Sequence, residues 1–295
     1  MRSPSNLIRF RQNLWRLRPP VLALGGGGAR GFSHLGVLDI LDEQRLPIRG
    51  IVGTSMGAVT GAMYLAFGSA SAAIAKWRDA IEHELVPPVR SIRRRPDAES
   101  KEHPLIQVAR RVRSQIVVAF AMNKATVLDA KDLVTAFEFL VPDLSFADLP
   151  CPFVAVATDL ESGAEVRLDT GALRPALLGS SAIPGLFPTV EADGRSLVDG
   201  GVVAEIPVSA ARAIGWPVVA VDASMDLPRL SDDDLVLDTM MRTQMMTARL
   251  LRRHQLKAAT DVIRPEVGTA TWADWDRFDE LVEAGRSAAR GFLGM

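Results

Sequence analysis

The sequence predicts an α/β fold, a mainly parallel sheet covered by helices on both faces, from three observations. The apolar runs VLAL (21–24) and IRGIV (48–52) are each followed at once by a glycine turn and a helix-patterned stretch. Two strand–helix units this close together favour a parallel sheet with crossover helices. Both runs read as buried strands. A chain of 295 residues that is 48% hydrophobic and 23% charged has ordinary globular composition and length enough for a substantial core.

Taken in order, residues 1–20 form a basic tail that carries Arg2, Arg9, Arg11, Arg16 and Arg18 and no acid. The arginines interrupt the roughly 7–15-residue apolar stretch of a secretory signal, so none is expected. After VLAL comes GGGGARG (25–31), then GFSHLGVLDILDEQR (31–45), with Leu35, Val37, Leu38 and Leu41 on one helical face. IRGIV runs into GTSMG (53–57) and a small-residue helix through Ala66. The stretch from Gly50 to Ala75 carries no charge, and its length would span a bilayer. Five glycines and five serines or threonines within it favour a buried strand, turn and helix over a transmembrane span.

Residues 76–148 read as a helical, basic insertion interrupted at Pro87-Pro88 and Pro96, with 11 basic and 6 acidic residues from 76 to 124. Residues 1–18 and 76–124 each contribute +5, so a net charge of −1 leaves −11 on the remainder. PFVAVATDLESGAEVRLDTG reads as a hairpin turning at Glu161-Ser162-Gly163. LRPALLGSSAIPGLFPTV (173–190) is a helix ending in a proline-punctuated loop, and SLVDGGVV (196–203) a strand running into a double glycine. PVVAVDAS (217–224) is another buried strand, 231–260 a long helix, TDVIRPEV (260–267) a last short strand, and 274–290 a closing amphipathic helix. No repeat or linker divides residues 21–295, which are expected to form one domain.

Composition excludes several classes. A single cysteine, Cys151, rules out an internal disulfide framework. His34, His83, His103 and His254 lack close metal-ligand spacing, so no metal is expected, and a near-zero net charge gives no global pull toward nucleic acid.

The chemistry concentrates in three places. In Gly53-Thr54-Ser55-Met56-Gly57, a strand-to-helix turn leaves the serine hydroxyl projecting while glycines two residues either side relieve crowding. The alternative reading of Ser55 is a helix cap. The glycine cluster matches Gly26-x-Gly28-x-x-Gly31, but the acid that a dinucleotide site needs at the end of the second strand is missing: none occurs between Leu46 and Asp79. Backbone amides free of side chains at a helix start suit an anion, and beside a nucleophilic serine that anion is the oxyanion of acyl transfer. Asp199-Gly200-Gly201 ends an apolar strand, where a desolvated carboxylate could serve as base; a turn-forming Asp-Gly is the alternative.

GGGGARG, then Ser55 27 residues after Gly28, then DGG at 199–201 preceded by GSSAIPGLFPTV, resemble the patatin-like phospholipases over about Val21 to Arg212. The resemblance implies a serine acyl hydrolase of lipid esters without cofactor, using a Ser–Asp dyad. Ser55 would be the nucleophile, Asp199 the base, and backbone around Gly26, Gly27 and Gly28 the oxyanion hole. Arg30, Gly31, Gly53, Gly57, Gly200 and Gly201 would support these motifs. Two other readings stay open: a Ser55–Asp199–His254 triad, and a catalytically quiet lipid-binding protein on the same scaffold. The methionines Met240, Met241, Met245 and Met246 recur at helical spacing and suit core packing or an acyl pocket. A cytoplasmic protein is expected, with peripheral contact to anionic membrane through residues 1–18 and 90–113.

Overall fold

VLAL forms β1 (Val21–Leu24), buried at every position, in a computed structural model that describes residues 12–85, 130–225 and 236–295. Leu22 and Leu24 enter one core and Val21 and Ala23 the other. A strand with no solvent face needs apolar side chains on both sides, which is why the sequence shows a run and not an alternation. β2 (Gly50–Thr54), β3 (Phe153–Asp159) and β7 (Val218–Val221) are buried throughout in the same way.

With β4 (Glu165–Leu168), β5 (Val190–Ala192), β6 (Arg195–Asp199) and β8 (Asp261–Ile263), these strands make an eight-stranded sheet of order β5-β6-β3-β2-β1-β7-β8, with β4 also on β3. The strands from β3 through β2, β1 and β7 to β8 pair in parallel, whereas β4, β5 and β6 are antiparallel. The predicted hairpin is β3–β4, turning through Gly163 at φ 70°. A second hairpin, β5–β6, was not expected from the sequence; β5 is only three residues long and nowhere fully buried, so it leaves no apolar run.

Helices cover both faces. α1 (Phe32–Glu43), α2 (Met56–Phe67), α3 (Ala70–Glu82), α4 (Ala130–Leu140), α5 (Leu173–Ser180) and α8 (Phe278–Leu293) build the larger core. α6 (Val208–Ile214) and the end of α7 (Val236–Leu256) close the other. The uncharged stretch from Gly50 resolves into β2, α2 and the first turns of α3, with 118° between the two helices. Among the described residues no single helix is long and apolar enough to cross a membrane. The predicted basic insertion is described only at its flanks, α3 and α4. The arginines at 90–113, His103 and residues 1–11 of the tail lie outside the described residues. The end of the tail is docked: Trp15 is buried, donates from Nε1 to the Pro47 carbonyl at 2.8 Å and meets Phe292 edge-on.

α1 departs from the single apolar face expected of it, because α8 covers its other side. The two backbones touch at glycines: a Cβ on Gly36 would lie 1.9 Å from the Val282 carbonyl oxygen, and one on Gly285 1.9 Å from that of Ser33. An Arg286–Asp39 ion pair at 2.7 Å closes the seam. Gly36→Ala is therefore expected to destabilise the protein by about 3 kcal/mol or more, since backbone cannot rotate out of the way. Gly291→Ala, at an open position of α8, should be neutral or stabilising by up to about 1 kcal/mol. Urea unfolding of the two variants side by side checks the contrast.

Candidate active site

β3 acts as the ruler that brings the site together. β2 pairs along Phe153–Val156, and β6 pairs along Ala157–Asp159. β4 overlaps both stretches, so it occupies the opposite edge and β2 and β6 share one. Thr54 stands opposite Val156 and Asp199 opposite the next residue, Ala157, so the C-terminal ends of β2 and β6 meet head to head.

Ser55 turns the chain out of β2 with φ 53° and ψ −125°, a conformation costly for any residue with a side chain. Its neighbours make the turn possible. A Cβ on Gly53 would lie 2.4 Å from the Ala58 backbone nitrogen, and one on Gly57 2.2 Å from the Leu24 carbonyl oxygen. α2 starts at Met56, so the serine sits at the positive end of a helix.

The Ser55 side chain faces the Asp199 carboxylate, near enough to favour its charged form. Both residues are buried, and the Asp199 Oδ1 also accepts from the Gly201 N–H at 2.7 Å. Burial pushes the Asp199 carboxyl up to about 6, against the pull of the Ser55 and Gly201 hydrogen bonds. Gly200 presses on β3, where a Cβ would be 2.2 Å from the Val156 carbonyl oxygen, and one on Gly201 would lie 3.0 Å from Asp199 Oδ1. The Asp199 carboxylate does cap the following 3-10 turn, as an Asp-Gly turn would, and it faces the serine as well.

The glycine loop is tied down unevenly. The Gly26 N–H donates to the Glu205 carbonyl at 2.8 Å and is engaged. Gly26 instead lies against the serine, with a Cβ position 3.6 Å from that of Ser55. The Gly27 and Gly28 N–H groups make no hydrogen bond among the described residues, and Gly28 borders the same cleft as Ser55. Gly28 has φ 57°, and a Cβ there would meet the Trp272 carbonyl oxygen at 2.3 Å. Gly31 opens α1 next to Met56, whose side chain fills the space a Cβ would need.

His34 is fully buried, and burial lowers its pKa to about 4. The neutral ring donates from Nε2 to the Gly25 carbonyl at 2.7 Å, a prop under the loop. Arg30 donates from Nε to the Ala223 carbonyl at 3.2 Å and borders a second cavity with Glu205 and Arg252, away from Ser55. His254 is exposed on α7 and is not among the residues around the Ser55 cleft.

Above Ser55 opens a cleft with almost wholly apolar walls: Met56 and Val59 of α2, Trp77 of α3, Phe137 and Leu140 of α4, Ile183 and Phe187 after α5, and Trp272 and Trp275 before α8. Trp77, Phe278 and Trp275 pack edge-on around Phe32, with ring centroids 4.6 to 5.5 Å apart, which fixes this wall to α1. The tryptophans were missed in the sequence, where nothing but their aromatic character sets them apart. Of the methionines of α7, Met245 borders the second cavity and Met246 is exposed, and neither lines the cleft; the side chains of Met240 and Met241 lie outside the described residues.

The chain resembles known proteins over most of its length. An uncharacterized NTE family protein of Mycobacterium tuberculosis is 32% identical over 206 residues, 70% of this chain and 47% of that protein. Patatin-like phospholipase domain-containing protein 6 of Homo sapiens is 25% identical over 301 residues, 92% of this chain and 20% of the relative. Lysophospholipase NTE1 of Kluyveromyces lactis is 26% identical over 304 residues, covering 92% and 19%. The chain thus spans less than half the length of these relatives. Among solved structures, VipD from Legionella pneumophila aligns over 93% of this chain and 66% of its own, with 15% identity and a TM-score of 0.47. The family model for patatin-like phospholipases matches residues 22–212, a span that holds the glycine loop, Ser55 and Asp199, and the chain belongs to that family.

Proposed function

We propose that the chain hydrolyses fatty-acyl ester bonds of lipids, phospholipids among them, with Ser55 as nucleophile and Asp199 as its base. The observation that carries this reading is the meeting of β2 and β6 end to end, which sets Ser55, on its strained turn beside an apolar cleft, against the buried carboxylate of Asp199. Asp199 takes the Ser55 proton as Oγ bonds to the ester carbonyl carbon, and the Gly27 and Gly28 amides receive the oxyanion. The carbon–oxygen bond to the alcohol or lysolipid then breaks, and the leaving oxygen takes the proton from Asp199. Water, deprotonated by the same carboxylate, attacks the acyl-enzyme and releases the fatty acid with Ser55 restored. The apolar character of the cleft walls suits an acyl chain, and the human relative, a patatin-like phospholipase domain-containing protein, and the Kluyveromyces lysophospholipase support the same substrate class. Arg30 acts at a distance, holding the glycine loop to the segment after β7. The arginines of residues 1–18 and 90–113 support peripheral contact with anionic membrane by charge alone.

Labelling with a long-chain fluorophosphonate, mapped by mass spectrometry, tests the assignment. Label is expected on Ser55, absent from Ser55→Ala and kept within about twofold in His254→Asn, whose exposed ring takes no part. Loss of label in folded His254→Asn would restore the triad. A folded wild type that takes no label, in detergent or without it, would return the lipid-binding reading.

A further inference from the structure

The end of α5 and the turn after it hold both members of the proposed dyad by their backbones. Ser180, fully buried, accepts the Ser55 N–H on its Oγ at 3.0 Å and donates the hydroxyl proton to the Val156 carbonyl at 2.6 Å. Two residues on, the Ala182 carbonyl accepts the Asp199 N–H at 2.9 Å. The Val156 carbonyl is also the group against which Gly200 packs.

A parallel ladder continues only while both strands stay extended. Ser55 leaves β2 by taking a positive φ, and its amide can no longer follow the ladder to β3. The Ser180 hydroxyl stands in the gap, a donor to one strand and an acceptor from the other. With Ala182 locked to Asp199, the tripeptide Ser180-Ser181-Ala182 spans the junction where β2 and β6 meet end to end.

We infer that Ser180 is a positioning residue, which fixes the backbone of Ser55 so that its hydroxyl reaches Asp199. The inference rests on the Ser55–Asp199 reading above. No local motif requires a serine at 180, because α5 ends with its own backbone bonds from the Ser181 N–H to the Gly179 and Leu178 carbonyls. Without the hydroxyl, Ser55 N–H and Val156 C=O are left facing each other with neither partner, and the strained turn relaxes away from Asp199.

The comparison of Ser180→Thr with Ser180→Val isolates the hydroxyl, because the two replacements have the same shape. Ser180→Ala complements them, and Thr60→Val, which removes an equally buried hydroxyl bond on α2, serves as the stability control. Ser180→Val and Ser180→Ala are expected to lower kcat on an ester substrate on the order of 10- to 100-fold with KM within about twofold. Ser180→Thr and Thr60→Val should stay near wild type. The acid limb of the pH profile should move up in the variants without hydroxyl, since Asp199 loses part of the hydrogen bond that favours its charge. Equal rates and equal pH profiles in folded Ser180→Thr and Ser180→Val would overturn the positioning role while leaving the dyad intact. Absence of hydrolysis and labelling in the wild type would instead overturn the dyad itself.

Discussion

Asp199→Asn is expected to silence ester hydrolysis and, at the same time, to make the protein more stable above pH 6. An amide cannot take the Ser55 proton, and losses on the order of 10⁴-fold or more in kcat accompany removal of such a base. The stability gain has a separate origin. Burial raises the folded-state pKa of Asp199 from 3.8 to about 6, so folding favours the protonated acid. Below pH 4 the group is protonated in both folded and unfolded chains and costs nothing. As pH rises from about 4 to about 6 the unfolded carboxyl ionises while the folded one holds its proton, and above 6 the folded protein bears a buried charge; a shift of about two units corresponds to about 3 kcal/mol, reached by about pH 6 and level beyond it. The difference in unfolding free energy between Asn variant and wild type should therefore grow by about that amount from pH 4 to pH 7. Urea titrations at a series of pH values measure it. A pH-independent difference would mean that Asp199 is not desolvated as the structure has it. The same pKa places the acid limb of wild-type kcat/KM near pH 6, with activity rising as Asp199 ionises.

Gly57→Ala should damage fold and site together. A Cβ there would sit 2.2 Å from the Leu24 carbonyl oxygen and 2.6 Å from that of Gly25. Both are backbone atoms at the end of β1, so relief requires α2 to move away from the sheet. A loss of roughly 3 kcal/mol or more is expected. Ser55 and the glycine loop lie on the two sides of that contact, and a displacement of about 1 Å between them would lower kcat on the order of 100-fold. Denaturant unfolding and ester turnover on the same preparation check both effects. Full activity in this variant would show that the close approach of α2 and β1 is not what aligns the site.

Much of this was legible in the sequence for a local reason. The turn at Ser55 needs glycine at 53 and 57 because Ala58 and the β1 backbone crowd those positions, and that need is written within five consecutive residues. Gly28 follows from a positive φ beside Trp272, and Gly200 from its contact with β3. Strands buried on both faces announce themselves as unbroken apolar runs, so β1, β2, β3 and β7 were foreseen. The small, partly exposed β5 was not.

Backbone strain and burial on both faces are short-range demands, and a few adjacent side chains are enough to meet and to reveal them. The sequence alone therefore determined the α/β class, the strand–turn–helix at Ser55 and the aspartate at the end of its strand. Which groups meet across the fold is decided by register and packing, and these have no local signature. Only the tertiary structure shows that β3 sets Ser55 and Asp199 end to end, that the Gly26 amide is engaged by Glu205, that Ser180 bridges β2 and β3, and that tryptophans from α3 and from the segment before α8 wall one cleft. Each of those contacts joins segments far apart in the chain, so its energy depends on the whole sheet being in place.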